Sequence, residues 1–533
     1  MKKIFLSLLF FIILSPLNVF AKNLEFDFAG FGGNGDDQLK SVIETLDGGY
    51  IAVGTSNSTD IDGITNKGDY DAVIIKFNVI GEVEWVNSLG GNDYDLFNEV
   101  IPANDGGYIA VGDFYSTDID SLKNNGNSDG MIVKYDENGN LVWSRAYGGN
   151  GLDFYHNIIS LSDEDYIVLV ESYSTDINDL PNMGSYDVVL IKYDNKGNVI
   201  WKKSYGGNDS DGANDIVRVN NNEFMVLVST FSLDIPNLVT ENSSDILVHF
   251  NSDGVILSQR IIDNNPKHTF DYMEIDSLGN YYFSGYTTSL KIGENSNNGL
   301  LDGIITKYDK NLNLVWEKNY GGNNIDTYRK FSLTEDGGVI IVLNSLSNEV
   351  EDYKNYGGYD SIMVKYDALG NIEWSENFSG NGNDYLNGVL FLDNNYLLYG
   401  YSDSNDIIGY TNKGKSDGLL IKSNYRYDII KEKVFFGTFD IVQVNNRGKI
   451  ELFPDMGYEL DKIIIKDTKG NIVDYTFKDG YYYFDLYDDV FVNVMYKEIV
   501  NPNTGFVNYL VFIVFMIVIM SLAIIITKKK KYL

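Results

Sequence analysis

The sequence predicts an all-β protein made of seven similar units, and the tryptophans show this first. All five occupy one position of a repeat, with spacings of 58, 58, 115 and 58 residues, where the long gap spans two periods. They are Trp85, Trp143, Trp201, Trp316 and Trp374. No unit shows helical periodicity. Similarity at a fixed period is typical of repeat architectures.

A glycine pair is the second marker of the repeat. Its second residue recurs at steps of 57 or 58, with asparagine in place of glycine once. The series is Gly33, Gly91, Gly149, Gly207, Asn264, Gly322, Gly380 and Gly437. Eight markers bound seven units, so the sequence predicts seven copies of one module.

Each unit contains four short runs typical of β-strands. In the second unit these are residues 96–101, 108–112, 130–135 and 141–147. Turns with Asp-Gly or Asn-Gly chemistry, such as 104–107 and 136–139, join the first run to the second and the third to the fourth. Because these residues adopt positive φ at little cost, both pairs are predicted to be antiparallel hairpins.

A four-stranded unit of this size cannot bury both faces alone, but it can when packed radially against its neighbours. The sequence therefore predicts a seven-bladed β-propeller of four-stranded blades over residues 22–437. A solenoid is the alternative, although solenoid repeats are usually shorter or helical. The fourth strand has eight candidate copies and the others seven, so we expect residues 24–31 to complete the last blade beside residues 419–422.

The unit also resembles a known repeat family. It runs Asp, an apolar run, Lys-Tyr-Asp, Gly-Asn, an apolar residue and Trp, then Tyr-Gly-Gly-Asn, Asp, and Asp-Gly-Gly-Tyr-Ile-Ala-Val-Gly. This pattern is similar to the bacterial β-propeller repeats of the SBBP type, over about residues 24–437. The resemblance implies architecture and says little about function, because that family has no common ligand or reaction.

The composition is acidic and free of cysteine. The formal net charge is −35, with 76 acidic and 41 basic residues. A chain this acidic is repelled by nucleic acid, which we exclude as a partner. The acidity either keeps an exposed protein soluble or attracts cations and basic partners. Without cysteine there are no disulfides, so packing must supply the stability of an exported chain.

The first 21 residues are predicted to be a secretory signal peptide. Lys2 and Lys3 precede an apolar run at residues 4–14, and Ala21 ends a short segment of the kind that signal peptidase reads. Lys22 would then be the new N-terminus. An uncleaved anchor is the alternative.

The C-terminus carries three features in order. Residues 506–527 are uncharged and long enough to cross a bilayer as a transmembrane helix, and the tail at 528–533 begins with four lysines, which places it in the cytoplasm. The motif Asn501, Pro502, Asn503, Thr504 and Gly505 precedes the helix.

This arrangement resembles the sorting signal of Gram-positive surface proteins, although Asn501 stands where Leu is usual. The resemblance implies that sortase cleaves between Thr504 and Gly505 and links the chain to peptidoglycan. It implies location on the cell wall of a Gram-positive-type bacterium. A plain membrane anchor, which would leave the protein in the cell membrane, is the alternative.

Recurrent side chains within the repeat have structural interpretations. The tryptophans are expected to pack between adjacent blades. An aspartate opens the third strand of every unit, and its carboxylate is expected to fix the preceding loop by accepting backbone N–H groups. The series is Asp71, Asp129, Asp187, Asp245, Asp302, Asp360 and Asp417. Calcium binding by these oxygen-rich loops is the alternative; otherwise we expect no metal and no cofactor.

A ligand face follows from the order of strands. In a four-stranded meander, both tight turns leave at one end, and the longer connections leave at the other. The longer connections include residues 55–70, 116–128 and 287–301. Because variable loops carry function on rigid scaffolds, we expect a partner to bind this acidic face near Asp60, Asp118 and Asp176.

Residues 438–500 lack the repeat markers. Their alternating pattern and turn glycines predict a small all-β module, which resembles the short β modules of Gram-positive surface proteins, including the internalin B-repeat type. It would act as a spacer between propeller and anchor.

No catalytic residue is predicted. The chain has three histidines, no cysteine and no recognisable nucleophile–base arrangement. The sequence therefore favours a surface binding, adhesion or scaffold protein without catalysis of its own, with an extracellular protein or glycan as ligand. The alternative is an extracellular carbohydrate-active hydrolase that uses carboxylates.

Overall fold

The structure is a computed structural model that describes residues 24–498 apart from short gaps. The gaps are residues 162–164, 178–179, 181–183, 241–242, 264–266, 290, 293–294, 298, 393–394, 408, 426–428, 432–433, 435, 445–446, 468–470, 479 and 486–489. The signal peptide at 1–21, Asn264, the motif at 501–505, the predicted helix at 506–527 and the tail at 528–533 lie outside the described residues.

Every regular element in the described chain is a β-strand, so the all-β prediction is confirmed. Within that part, no helix is long and apolar enough to cross a membrane. Two compact units are present, Glu25–Asn424 and the residues from Tyr425 on. The boundary lies before the predicted one at 437, because the strand Ile429–Lys431 pairs with a strand of the second unit.

The described residues of the first unit form seven larger antiparallel sheets in a propeller-like arrangement, here numbered 1 to 7 along the chain. The first strands of sheets 1 to 7 are Asp37–Glu44, Asp95–Pro102, Asp153–Ser160, Asp211–Asn220, His268–Ile275, Asp326–Tyr328 continued by Ser332–Leu333, and Asp384–Leu392. The second strands are Tyr50–Ser56, Tyr108–Phe114, Asp165–Ser172, Glu223–Thr230, Tyr281–Thr287, Val339–Ser345 and Asn395–Ser402.

The third strands open at the predicted aspartates in all sheets but one, where the strand starts one residue earlier. They are Asp71–Phe77, Asp129–Tyr135, Asp187–Asp194, Ser244–Asn251, Asp302–Tyr308, Asp360–Tyr366 and Asp417–Tyr425. The fourth strands of sheets 1 to 6 are Val83–Leu89, Leu141–Tyr147, Val199–Tyr205, Ile256–Asp263, Leu314–Tyr320 and Ile372–Phe378. Two small hairpins, Lys291–Ile292 with Asn295–Ser296 and Glu349–Val350 with Tyr353–Lys354, extend loops of sheets 5 and 6.

The N-terminal strand Leu24–Phe31 completes sheet 7. It pairs with the third strand Asp417–Tyr425, as the count of repeated strands predicts. Sheet 7 in turn contacts the first strand of sheet 1, and the Asn387 side chain donates a hydrogen bond to the Leu39 carbonyl at 2.7 Å. Each sheet also contacts the next along the chain, so the contacts form a closed circuit.

Tight turns with one recurring side-chain pattern join the third and fourth strands. In sheet 2 the Asp136 carboxylate accepts the backbone N–H groups of Asn138 and Asn140 at 2.9 and 2.8 Å, and Asn140 Nδ2 donates to its other oxygen. Gly139 has a φ of 81°, a conformation that glycine adopts without strain. The same aspartate–asparagine pair closes the corresponding turns of sheets 3, 5 and 6.

The lysine of the Lys-Tyr-Asp motif is buried against the other tight turn. Lys76 Nζ lies 3.0 Å from the carboxylate of Asp47, and Lys365 Nζ lies 2.9 Å from that of Asp336. Equivalent pairs occur in sheets 2 and 3. In sheet 4, His249 replaces the lysine and lies 3.2 Å from Glu223. The pairing of a third-strand cation with a first-turn carboxylate explains why both residues recur.

The core lies between consecutive sheets, and the tryptophans are at its outer border. The Trp85 ring packs against Tyr108 of the next sheet at 6.5 Å, and Trp374 packs against Tyr396 at 5.6 Å. Trp201 Nε1 donates to the Ser252 carbonyl of the next sheet at 3.1 Å. Trp143 and Trp316 also contact the following sheet. Each tryptophan therefore joins two neighbouring sheets.

The second unit contains two small sheets. One has the order Gly437–Val444, Arg447–Pro454, Tyr481–Asp485, Tyr475–Lys478. The other places Val490–Glu498 between Ile429–Lys431 and Tyr458–Asp467. Ile450, Ile465, Phe484 and Val492 are buried, so both sheets contribute to a core.

Candidate functional site

The two ends of the seven sheets differ in construction. One end carries the tight turns, such as 136–140. The other carries the glycine-pair turns together with the longer connections at 55–70, 116–128 and 287–301, which define the loop-rich face. The longer connections therefore leave at this end, as the order of strands predicts.

Asp60, Asp118 and Asp176 lie exposed on the loop-rich face, where they brace the glycine-pair turns. Their carboxylates accept the backbone N–H groups of the asparagines that follow the glycine pair, at 2.7, 2.8 and 2.7 Å. The donors are Asn34, Asn92 and Asn150. These carboxylates therefore have a structural role, with their outer surfaces open to solvent.

A buried aspartate opens the first strand of six sheets and holds the same turn from inside. Asp153 accepts the Gly149 N–H at 2.8 Å and the Ser174 hydroxyl at 2.7 Å, and the Ser172 hydroxyl also donates to it. Its counterparts make similar bonds; they are Asp37, Asp95, Asp211, Asp326 and Asp384. In sheet 5 the position is His268, which contacts the Asp263 carboxylate at 2.5 Å.

The third-strand aspartates are buried at the junction with the next sheet. Asp129 accepts the backbone N–H of Asn125 at 3.0 Å, which is the loop-fixing bond expected from the sequence. Similar bonds reach Asp360 and Asp417 at 3.2 and 3.0 Å. Asp245 instead accepts the Ser229 hydroxyl at 2.5 Å and the Phe270 N–H of sheet 5 at 3.3 Å. Asp302 accepts from the Asn319 amide at 2.8 Å, and Asp71 and Asp187 are equally buried.

These carboxylates explain the first glycine of the pair. A Cβ on Gly90 would lie 2.3 Å from Asp71 Oδ1, and one on Gly148 would lie 2.5 Å from Asp129 Oδ1. Any side chain there would displace the carboxylate. In the part of the chain that the structure describes, no group of three or more His, Cys, Asp or Glu side chains is arranged to hold a metal ion.

Burial raises the pKa of these carboxyl groups. It raises the pKa of Asp71, Asp129 and Asp417 to about 6, and that of Asp360 to about 7. The pKa of Asp245 rises to about 8 for the same reason. The carboxylate of the next first strand adds to the effect at Asp71, because two nearby negative charges repel each other.

The first strands lie around the centre of the circuit of sheets, a region here called the central channel. Glu99 of sheet 2 and Lys330 of sheet 6 are separated by intervening sheets on both sides of the circuit, yet Lys330 Nζ lies 2.7 Å from the Glu99 carboxylate. Such a bond can form only across the centre. Glu99 also accepts the Ser41 hydroxyl of sheet 1 at 2.8 Å, so three sheets meet there.

A β-bulge recurs at one position of the first strands and defines a ring of side chains in the channel, here called the bulge ring. The bulge skips one residue between the third and fourth pairs of the register, for example between Leu39 and Ser41. Sheet 6 is interrupted at the equivalent position. The ring comprises Lys40, Asn98, His156, Asn214, Asp271, Arg329 and Asn387.

Three asparagines of the bulge ring link neighbouring sheets. Asn98 Nδ2 donates to the Tyr155 carbonyl at 3.0 Å, and Asn214 and Asn387 donate to the Phe270 and Leu39 carbonyls. The other four members carry ionisable groups. The 57- or 58-residue spacing of this ring is present in the sequence, but its seven members include five residue types, so the repeat pattern does not reveal them.

Next to the bulge ring, on the side of the tight turns, buried acids surround Lys330. This position is here called the level below the ring. Asp215 accepts the Asn157 amide at 2.6 Å and the Met273 N–H at 2.8 Å, and burial raises its pKa to about 6. Burial likewise raises the pKa of Glu274 to about 7. Burial opposes the charge of Lys330, but the fields of Glu99, Tyr399 and Asp215 together outweigh burial and raise the Lys330 pKa.

Half-buried aromatic side chains form three clusters where the first and third strands open onto the loop-rich face. Rings within each cluster lie 4.7–6.2 Å apart. The clusters are Tyr70, Tyr94 and Tyr115; Phe154, Tyr173 and Tyr186; and Tyr359, Tyr385 and Tyr401. Aromatic rings of this kind provide large contact areas with little conformational entropy to lose.

Comparisons with known proteins give only distant likenesses. No family model matches the chain. A curated relative, Regulatory protein FlaEY of Caulobacter vibrioides, is 21% identical over 375 residues, which cover 62% of this chain and 38% of that protein. The chain thus spans about two fifths of this relative.

Solved structures give similarly weak matches. The β-propeller domain of the trilobed protease from Pyrococcus furiosus has a TM-score of 0.37 at 10% identity, covering 73% of this chain and 94% of that one. A point mutant of Synechocystis ACO has a TM-score of 0.34 at 11% identity, covering 69% and 94%. Lignostilbene dioxygenase of Pseudomonas brassicacearum has a TM-score of 0.34 at 10% identity, covering 64% and 73%.

The buried third-strand acids predict that stability falls as the pH rises. Their pKa values are higher in the folded chain than in the unfolded chain, so the folded state binds more protons between about pH 4 and 8. Their contribution is complete below the unfolded pKa and is lost as the pH rises through the folded pKa. A shift of about two pKa units, as at Asp71, corresponds to roughly 3 kcal/mol, and solvent screening reduces the expected contribution of each group to roughly 1 kcal/mol. Urea denaturation at constant ionic strength, repeated from pH 4.5 to 8, measures how the free energy of unfolding depends on pH.

A matched pair of variants tests the assignment. Asp71→Asn should flatten the dependence of unfolding free energy on pH, whereas Asp120→Asn, at an exposed position, should leave it unchanged. A stability that increases from pH 5 to pH 8 would contradict the interpretation.

The ion pair across the channel predicts a second stability effect. Glu99→Gln leaves Lys330 without its charge partner in a site where that side chain is only 31% exposed, so unfolding free energy should fall by about 2 kcal/mol. The double variant with Lys330→Met should recover part of this loss. Lys415→Met, which removes an exposed pair with Asp36, should change stability by less than about 1 kcal/mol. If Glu99→Gln and Lys415→Met lowered the free energy of unfolding equally, the ion pair between Glu99 and Lys330 would stabilise the fold no more than an exposed pair does.

Proposed function

We propose that this chain is an exported, wall-attached, seven-bladed β-propeller that binds an extracellular ligand on its loop-rich face and has no catalysis of its own. Seven four-stranded sheets in a closed circuit of contacts support the blade number. The N-terminal strand in sheet 7 supports ring closure. The sorting-signal resemblance at 501–505 supports attachment to peptidoglycan by sortase.

The observation that carries the binding role is the group of three aromatic clusters on the loop-rich face. Half-buried tyrosines beside a polar channel form the mixed apolar and polar surface typical of ligand sites. The opposite face consists of tight turns closed by their own aspartates and asparagines. A glycan or an extracellular protein is the partner class that fits half-buried tyrosine surfaces on an exported protein.

The alternative function is an extracellular hydrolase that uses carboxylates. The channel acids Asp215 and Glu274 favour it, because raised pKa values are typical of general acids. Asp215 nevertheless accepts two hydrogen bonds from neighbouring strands, which also gives it a structural role. The binding role therefore remains the better supported proposal.

Binding can be tested with the full chain, purified in mild detergent, on a printed glycan array. We expect the protein to bind a defined subset of the printed glycans. A variant combining Tyr94→Ala, Tyr186→Ala and Tyr359→Ala should bind them with at least about tenfold lower affinity, since each tyrosine contributes contact area. A variant with Leu278→Ala and Leu369→Ala, at exposed tight turns of the opposite face, should bind normally. Turnover of 4-nitrophenyl glycosides, lost in Glu274→Gln, would instead favour the hydrolase.

Wall attachment is tested by the Thr504→Ala variant. In cells, the wild-type chain should appear in the fraction released by muramidase, with Thr504 as its last protein residue by mass spectrometry. The variant should remain with the membrane fraction. Recovery of wild-type chain that retains Gly505 and the following residues would show a membrane-retained surface protein.

A further inference from the structure

Two members of the bulge ring are cations that lack carboxylate partners of their own. Among the described residues, the Lys40 ammonium of sheet 1 has no hydrogen-bond or ion-pair partner. The Nε donor of Arg329 in sheet 6 is buried and has no acceptor within the described chain. Burial and then the field of Arg329 lower the pKa of Lys40, which shows that the two charges are close enough to repel each other. This is unusual in a chain with a net charge of −35.

The charges near these cations leave one positive charge uncompensated. Asp271 is the ionisable acid of the bulge ring, and the field of Arg329 favours its charged form, although burial raises its pKa to about 6. His156 is held neutral, since burial lowers its pKa to about 4. Glu99 and Asp215 lie at the level below and have Lys330 as their cation. The ring therefore suits one singly charged anion.

An aromatic platform lies beside the cations. The Arg329 guanidinium lies 4.8 Å from the centre of the Tyr385 ring, and Tyr385 stacks on Tyr401 at 5.4 Å with an interplanar angle of 20°. Stacking on Tyr385 holds the planar guanidinium in one orientation. A fixed guanidinium can donate two parallel hydrogen bonds to a carboxylate. Lys40 adds a point charge from the opposite side of sheet 7.

We propose that Lys40 and Arg329 form a site for the carboxylate of an acidic sugar, a uronic acid, with Tyr401, whose stacking partner Tyr385 holds Arg329 in place, packing against the sugar ring. This inference rests on the proposed binding function and names the chemistry of its ligand. The site lies in the channel where sheets 6, 7 and 1 meet. A dianionic phosphate is less suitable, because it would bring one more negative charge than the ring can neutralise.

Calorimetric titration of the full chain in detergent with sodium D-glucuronate at low salt tests the site. We expect a Kd of about 1 mM, the strength that a ligand of this size commonly reaches. Lys40→Gln and Arg329→Gln should each weaken binding at least about tenfold. Lys202→Gln is the matched control, since Lys202 also lies over a tyrosine ring, 4.9 Å from that of Tyr147, but on the fourth strand of sheet 3. It should bind within twofold of wild type, and neutral D-glucose should not bind.

Three results would overturn the proposal: no heat of binding with glucuronate, glucuronate binding that survives both Lys40→Gln and Arg329→Gln, or inorganic phosphate bound more tightly than glucuronate. Should Arg329→Gln fail to fold, Lys40→Gln alone decides. A blank glycan array together with glucuronate binding that depends on Lys40 would refute the broader binding function while leaving this site standing.

Discussion

No single sheet of this protein can bury both of its faces, and the rest of the structure follows from that constraint. Each sheet has a second and third strand that are almost wholly buried, so both faces need a neighbouring sheet. An open array would leave two such faces in water. The N-terminal strand removes this problem by completing sheet 7, whose residues Leu397 and Tyr399 share a core with Leu39 and Val42 of sheet 1. Closure replaces disulfides as the source of stability.

The repeated polar residues solve the difficulty that tight packing creates. Sheets that approach closely must bury the ends of their strands, and the backbone N–H groups there need acceptors. Asp153 and its counterparts supply acceptors from within the same sheet, and Asp129 and its counterparts lie at the junction with the next. The glycine pair leaves space for these carboxylates. Supplying acceptors in this way leaves a set of buried acids with raised pKa values. The fold tolerates them because further hydrogen bonds also hold each loop.

The sequence predicted most of the fold because the repeat places the same chemistry at the same position many times. The strand pattern of sheet 2, the turns at 104–107 and 136–139 and the completion of sheet 7 by residues 24–31 could all be read from spacing and residue type. Residues 429–431, the surplus copy of the fourth strand, pair instead with Val490–Glu498. Such a long-range pairing leaves no local signal.

The side chains that line the channel could not be predicted, because the repeat gives no signal at positions where its copies differ. Repeats reveal positions where residues agree, whereas the bulge ring holds Lys, Asn, His, Asp and Arg at one position. The positions at which the copies agree maintain the shared backbone geometry. Asp60 and Asp118, for example, both brace a glycine-pair turn. The positions free to differ are those that face the channel or solvent, and selection for a ligand can act only there. In a protein built from copies, the residues that break the repeat within a shared backbone geometry are therefore the first place to look for function.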